Sequence, residues 1–375
     1  MDLNEIREEI DSVDKEMVRL FQKRMELVNE VAEFKIANHK QVLDRQREHD
    51  KIMELTGMTH SRFNARGVQD LFSQMMAISR KMQYRMLTEA GQAEDFDFTK
   101  IHEIERKDCK IVYQGVEGAY THEAAKQFFG EDCDCFHVAT WSDAMEAVKG
   151  GQADYAILPI ENSSAGMISD VYDLLARYDN VIVAETYLRV KHALIGVEGT
   201  TLDTIKTVYS HQQALSQCSD FLDEHREWQA FPLLNTAVAA RKIAADGDIT
   251  QAAIASETAA KLNGLQVIQK PVNNVKNNTT RFVIVSGKHV YASDAERVSL
   301  CFEAPHESGS LYQLLSHIIY NGLNMTKIES RPIPEKNWEY RFFVDFEGNL
   351  SDPGVVSAIN GIAHEAITMK ILGNY

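Results

Sequence analysis

For its first 87 residues this chain keeps the three-and-four spacing of helices, and beyond residue 108 the texture changes to short apolar runs. Leu3, Ile6, Ile10, Val13, Met17, Leu20, Leu27, Val31 and Phe34 recur at the spacing of one face of a long amphipathic helix, which a break near 38–42 ends. A second helix is expected from about Asp44 to Leu55 and a third from about Ser61 to Leu87, with glycine only at Gly57 and Gly67. Residues 88–108 are polar, acidic and weakly periodic, which reads as a linker. Then KIVYQG, DYAILPI, NVIVAET, ALIGV, TVYS, AAIAS and RFVIVSG alternate with helical stretches, the pattern of an α/β domain with buried strands. Past a thinner boundary at 286–297, β-α-β-β-α order over about 80 residues reads as a ferredoxin-like module. The expected organisation is therefore multidomain: all-α over 1–90, a linker over 91–108, two α/β lobes over 109–287 and an α+β module over 297–375.

Composition excludes several functions. A net charge of -16 argues against a nucleic-acid binder, which needs a basic face to neutralise phosphates. No apolar run approaches a membrane span, and MDLNEIREEI is acidic and amphipathic, unlike a signal peptide. Five scattered cysteines suit free thiols in a reducing cytoplasm; Cys133 and Cys135 lack the second pair that a metal site needs. No metal and no cofactor are expected.

In the helical third, the apolar series passes through position 24, which holds Arg24, and Lys35 stands close to the same stripe. A cation on a packing face is costly unless an anion meets it. Eleven residues separate the two, about 16 Å along a helix, so long side chains reaching toward each other could clasp a small dicarboxylate. Arg7 lies about 25 Å from Arg24 along the axis and points about 100° away, so it could serve such a ligand only across a dimer. On the second helix Asp44, Arg47 and Glu48 share a face, and on the third Ser79 and Gln83 are one turn apart among methionines.

Eight polar positions in this register resemble the all-helical class of chorismate mutase. By that resemblance Arg24 and a partner's Arg7 hold the carboxylates of chorismate with Arg47 close by. Lys35 and Gln83 donate to the ether oxygen, Glu48 and Asp44 hold the ring hydroxyl, and Ser79 joins the substrate contacts. The reaction is an intramolecular rearrangement to prephenate, so positioning and charge stabilisation suffice.

The middle region has no GxSxG, P-loop or GxGxxG, which weakens a dehydrogenase reading. It places LPIENSSAG (158–166), VYSHQQALSQC (208–218) and NNTTRF (277–282) after β runs, where loops make anion sites. With GAYTHEAA (118–125), these segments resemble prephenate dehydratase, whose most specific mark is Thr280-Arg281-Phe282. The resemblance implies two lobes like a solute-binding protein, with the chain crossing near 190 and returning near 270. It puts Thr280 at the leaving hydroxyl, with Asn162, Ser210, Gln217, Arg281 and Phe282 at the substrate and Glu161 as an acid in the same cleft. His122 and His211 read as packed or solvated histidines.

In the C-terminal module, ESGSLYQLL (307–315) and ESRP (329–332) resemble the amino-acid-binding segments of the ACT domain. The resemblance implies L-phenylalanine as a feedback inhibitor held by Gly309, Ser310, Leu311, Asn324, Glu329, Ser330, Arg331 and Pro332. Taken together, the three resemblances imply a cytoplasmic bifunctional isomerase and lyase of phenylalanine biosynthesis. It would be a homodimer through its first and last domains, with a higher oligomer left open, taking chorismate and prephenate and neither nucleic acid nor membrane. The rivals are an amino-acid sensor with a decayed cleft and a mutase–dehydrogenase fusion.

Overall fold

The computed structural model describes residues 2–334 and 336–375. They fall into two compact units, one of residues up to Asp97 with Glu296–Lys370 and one of Phe98–Ala295 with Ile371–Tyr375.

The first unit opens with α1 (Leu3–Ala37), α2 (Arg45–Gly57) and α3 (Arg62–Glu89), each within about two residues of its expected limits. Their starts are set by short oxygen-bearing side chains that take up otherwise unpaired N–H groups. Asp2 and Glu5 form a capping box at α1, Asp44 accepts from Arg47 N–H at α2, and Ser61 accepts from Asn64 N–H at α3. Burial is uneven. Of α1 only Val28 and Ala32 are buried, whereas Met76, Ala77, Ser79, Arg80, Lys81, Gln83 and Tyr84 of α3 all are.

The second unit begins with β1 (Thr99–Ile101), inside the stretch read as a linker, and then runs β2 (Lys110–Gln114), α4 (Tyr120–Phe129), β3 (Asp134–Val138), α5 (Trp141–Lys149), β4 (Tyr155–Asn162), β5 (Gly166–Met167), α6 (Ser169–Arg177) and β6 (Val181–Arg189). The chain crosses to a second lobe of β7 (Ala193–Gly196), β8 (Thr207–His211), α7 (Gln212–Gln217), α8 (Ser219–Asp223), β9 (Gln229–Leu233), α9 (Thr236–Asp246), β10 (Gln251–Ala255), α10 (Glu257–Leu262) and β11 (Gln266–Gln269). It returns with β12 (Thr279–Ser286) and β13 (Val290–Ala292), so the crossings fall where the sequence places them. The first lobe orders its strands β6-β12-β4-β2-β3 and the second β11-β7-β10-β8-β9. Strands covered on both faces should be apolar throughout, and Ala156–Ile160, Ala193–Gly196 and Phe282–Ser286 are buried at every position.

The chain then gives β14 (Arg297–Glu303), α11 (Ser310–Tyr320), β15 (Met325–Pro332), β16 (Tyr340–Glu347), α12 (Pro353–Glu365) and β17 (Thr368–Asn374). Strand β16 pairs antiparallel with both β14 and β15, so β15 is an edge. Gly309, at φ +83, turns the chain into α11, a conformation a β-carbon would strain. Gly361 of α12 lies against the His317 ring, where a β-carbon would stand 2.3 Å from Nδ1.

Candidate active sites

Strand period two decides which of Thr280, Arg281 and Phe282 can share a cavity. Thr280 and Phe282 line a cavity of about 590 Å³ in the two-lobed unit, with Asn162 from β4 and Gln217 from α7. Within it runs a chain of polar groups. Asn162 Nδ2 donates to Thr280 Oγ1 at 2.9 Å and to Asn278 Oδ1 at 2.7 Å. Asn278 Nδ2 donates to Gln217 Oε1 at 3.0 Å, and that oxygen lies 3.1 Å from His192 Nε2. His192 Nδ1 lies 3.0 Å from the Tyr120 hydroxyl. Because an amide oxygen only accepts, Nε2 carries the imidazole hydrogen, and Nδ1 is left as an acceptor facing the Tyr120 hydroxyl, whose single hydrogen it shares with the Lys191 carbonyl, also at 3.0 Å. Burial pushes the His192 pKa down to about 4, against the opposing bond to Gln217, so the ring is neutral. Asn162 Oδ1 accepts from the N–H groups of Ser164 and Ala165, which fixes its amide. Thr280 thus receives a hydrogen bond on its oxygen, and its own O–H has no acceptor among the described residues.

No lysine or arginine lines this cavity among the described residues. Tyr120 and Thr121 at the start of α4, Trp141 at the start of α5, and Asn235 and Thr236 at the start of α9 do line it, so helix N-termini contribute positive potential there.

Three expected members are elsewhere. Arg281 is buried on the opposite face of β12, its Nε bonding Glu185 Oε2 at 2.7 Å and its Nη2 donating to the Tyr375 hydroxyl at 2.8 Å. Glu161 pairs with Arg281 in register and so shares that face, its Oε2 3.8 Å from Arg281 Nη1; it does not line the cavity, and the expected cleft acid is not there. Ser210 is fully buried and donates to the Ile254 carbonyl at 2.6 Å, holding β8 against β10 instead of meeting a ligand. Of the two histidines, His122 accepts from Gly118 N–H and stacks on Tyr113 as a packed residue, whereas His211 lines the cavity and caps α7.

In the helical unit, Arg24 Nη1 donates to Ser79 Oγ at 2.6 Å, joining α1 to α3. Lys35 Nζ donates to the Val42 carbonyl at 2.6 Å. Burial lowers the pKa of Lys35, while Asp44 and Glu48 pull it back up, so all three feel one another. Burial likewise lowers Arg24 and Glu48 opposes it. Gln83 Nε2 donates to the Ser79 carbonyl at 3.2 Å, and its buried Oε1 has no partner among the described residues. Arg47 is exposed on the first turn of α2, and Asp44 is engaged as the cap of that helix. Arg7 is exposed near the start of α1, away from the other seven.

In the C-terminal module, Ser310 and Leu311 line a cavity of about 360 Å³ with Ser308, Trp338, Tyr340 and Phe342. Gly309 starts the helix beside it. Asn324, Glu329, Ser330, Arg331 and Pro332 do not line it; 329–332 close the edge strand β15, with Asn324 just before it. Among the described residues the two segments do not line one cavity, although Ser330 and Pro332 pair with Phe342 and Tyr340, which do line it.

Sequence reasoning missed His192 and gave no role to Tyr120 and Asn278, although both lie inside segments it singled out; their partners lie 25, 72 and 61 positions away. It also missed Arg80, buried on α3, whose Nη1 bonds Glu48 Oε2 at 2.5 Å. A signal existed for it: Met76, Arg80 and Tyr84 are one turn apart on a buried face, the anomaly that singled out Arg24.

Residues 6–84 match the chorismate mutase type II family and residues 111–290 the prephenate dehydratase family. The bifunctional chorismate mutase/prephenate dehydratase of Escherichia coli strain K12 is 34% identical over 99% of this chain and 95% of its own. Prephenate dehydratase from Arthrobacter aurescens, solved in complex with L-Phe, is 27% identical with a TM-score of 0.66, covering 71% of this chain and 89% of that one. A structure described as GqqA, a quorum quenching acylase, is 30% identical with a TM-score of 0.65, covering 71% and 97%.

Proposed function

The chain belongs to the family of bifunctional chorismate mutase/prephenate dehydratases, and from that premise we propose which of its residues carry each reaction. The helical site rearranges chorismate to prephenate; the two-lobed cleft converts prephenate to phenylpyruvate. The observation that carries the assignment is the polar chain ending on Thr280 in a cavity lined without lysine or arginine.

In the dehydration the ring carboxylate leaves as carbon dioxide, its bonding pair enters the ring, and the ring hydroxyl departs as water on gaining one proton. Thr280 hydrogen-bonds through its unengaged O–H to that departing oxygen and keeps its own proton at the end of the turnover, the proton consumed coming from solvent, and Asn162 fixes the rotamer by occupying the threonine oxygen. A cation on the departing carboxylate would stabilise the ground state more than the transition state, where that charge is vanishing. Helix N-termini and amides suit the task better, since they orient the anion with weaker fields. The hydroxyl of Thr280 bonds an amide and not a base, which disfavours the activated nucleophile that acyl transfer needs.

In the rearrangement no proton moves, and Arg24 and Arg47 hold carboxylates that stay charged throughout. Lys35 has two N–H groups beyond the one given to Val42, and Gln83 one beyond that given to Ser79, for the ether oxygen. Glu48 and Asp44 accept from the ring hydroxyl, with Ser79 holding Arg24. Arg7 serves the partner's site: the exposed stripe of Leu3, Ile6, Ile10, Val13, Met17 and Leu20 on α1 supports pairing of two copies along this helix.

We read the domain limits as 1–90, 109–287 and 297–375, the two lobes as solute-binding-like, and the βαββαβ module as an ACT domain. The cavity beside Gly309 supports L-phenylalanine as its effector, with the edge strand β15 of a second copy completing the site. The five free cysteines support a reducing, cytoplasmic setting, and no helix among the described residues is long and apolar enough to cross a membrane.

One assay tests the whole reading. Chorismate is supplied without NAD and phenylpyruvate is followed with and without L-phenylalanine; failure to form phenylpyruvate, or formation indifferent to phenylalanine, rejects the corresponding part. Mixing Arg7→Ala and Arg24→Ala chains tests the shared site. Each mixed dimer regains one of its two sites, so an equal mixture should return roughly a quarter of the parent mutase activity.

A further inference from the structure

Glu48 is the only expected mutase residue whose carboxylate is held by a group that no motif selected. Arg80 Nη1 meets its Oε2 at 2.5 Å, which leaves Oε1 outside this contact. The rest of the guanidinium is spent on the C-terminal module: Nε bonds Glu365 Oε1 at 2.7 Å and Nη2 bonds Oε2 at 3.2 Å. Two parallel bonds to one carboxylate fix the plane of the fork, and with it the direction of the remaining N–H. Glu365 ends α12, and its oxygen lies 3.1 Å from His317 Nε2 on α11. The His317 ring fits only because residue 361 is glycine, and it packs edge-on against Tyr84, one turn past Arg80. Arg45, at the start of α2, donates to the Glu365 carbonyl at 3.0 Å. A buried guanidinium between two carboxylates cannot turn toward one without abandoning the other, which would leave an unpaired buried charge.

We propose that Arg80 is the positioning residue for Glu48 in the mutase site, and that Glu365 makes this positioning a property of the C-terminal module. The inference rests on the reading of Glu48 as a substrate-binding group. It gives the last domain a role in the first reaction even without effector: the module supplies half of the clamp that orients a mutase carboxylate. A change of helix α12 on effector binding would reach Glu48 through a single side chain.

The test uses the full-length chain, with dehydratase turnover as internal control. Glu365→Gln keeps the shape and one acceptor but loses the charge; Arg80→Lys keeps the charge but cannot serve both carboxylates. Each should lower mutase kcat/KM roughly tenfold, with dehydratase kcat/KM within about twofold of the parent. In a Glu48→Gln background the Glu365→Gln loss should shrink to less than about twofold, because the group being positioned is already altered. Mutase KM and kcat unchanged in both variants, with only the melting temperature lowered, would make Arg80 a structural stitch and overturn the proposal. A Glu365→Gln loss of equal size in both backgrounds overturns it as well. If Glu48→Gln alone leaves mutase kinetics intact, the reading of Glu48 itself fails, an outcome distinct from the other two. Arg80→Leu is avoided because an uncompensated Glu365 could prevent folding.

Discussion

The two sites take substrates of the same charge and meet them with opposite chemistry. The proposed helical site draws on Arg24, Lys35, Arg47 and Arg80 with Asp44 and Glu48, whereas the cleft is lined, among the described residues, by amides, hydroxyls and two imidazoles, with no lysine or arginine. The difference follows from what happens to the carboxylates. In the rearrangement they keep their charge, so a strong grip costs nothing at the transition state and restrains a mobile arm. In the dehydration one of them becomes neutral carbon dioxide, and a strong grip would oppose the reaction.

The comparison breaks most visibly at Arg24. Arg24→Ala removes a charged clamp and its bond to Ser79, so mutase kcat/KM should fall by about a thousandfold, roughly 4 kcal/mol, with dehydratase untouched. Steady-state assays of both reactions on one preparation check this; a loss under tenfold would take Arg24 out of the site. Thr280→Ala should lower dehydratase kcat by about a hundredfold and leave mutase unchanged, and dehydratase activity surviving within threefold would refute the role given to Thr280. Adding a cation to the cleft is the converse experiment. Leu234 lines the cavity from an exposed position, and Leu234→Lys should lower KM for prephenate while lowering kcat by about threefold. A rise in kcat would mean that the cleft's lack of cations is incidental.

The smallest effect is a difference in acid stability. His192 sits at about 4 when folded against an ordinary 6.5, so between those values the unfolded chain holds the extra proton. The two-lobed unit should therefore lose stability as pH falls from about 6.5 to about 4. For Glu365, burial pushes the carboxyl up but His317 and Arg80 pull harder and hold it down at about 2, against an ordinary 4.5. Its contribution is complete above about 4.5 and is lost from there toward 2, a window below that of His192. Each contribution is at most about 3 kcal/mol. Denaturant midpoints across this range, with His192→Gln and Glu365→Gln as references, should show the two slopes in separate windows.

Periodicity made the three helices legible to within about two residues, and the resemblance to prephenate dehydratase put both crossings between lobes where they fall. Two of the mistakes, Arg281 and Glu161, have one origin. A motif written as Thr280-Arg281-Phe282 treats three neighbours as a unit, but a strand sends the middle one to the other face, and Glu161 follows it by register. The period-two rule, applied to the motif, would have excluded both. Arg80 was visible by the criterion that found Arg24. His192 and Asn278 were not, because each acquires meaning only from partners dozens of residues away, which pairing of the lobes brings close. Ser210 shows the converse: a hydroxyl at a strand end can be consumed by the neighbouring strand.

The two segments by which the chain passes between lobes run side by side: Val190 N–H bonds the Asn278 carbonyl at 2.8 Å and Val272 N–H the His192 carbonyl at 3.0 Å. Asn278 and His192 are thus links in the polar chain and also part of the double strap on which the lobes would swing. In mechanical terms the hinge is wired to the trigger. A swing of the lobes to release phenylpyruvate would act directly on the contacts through which Gln217 and His192 steady Asn278, and through it Asn162 and Thr280.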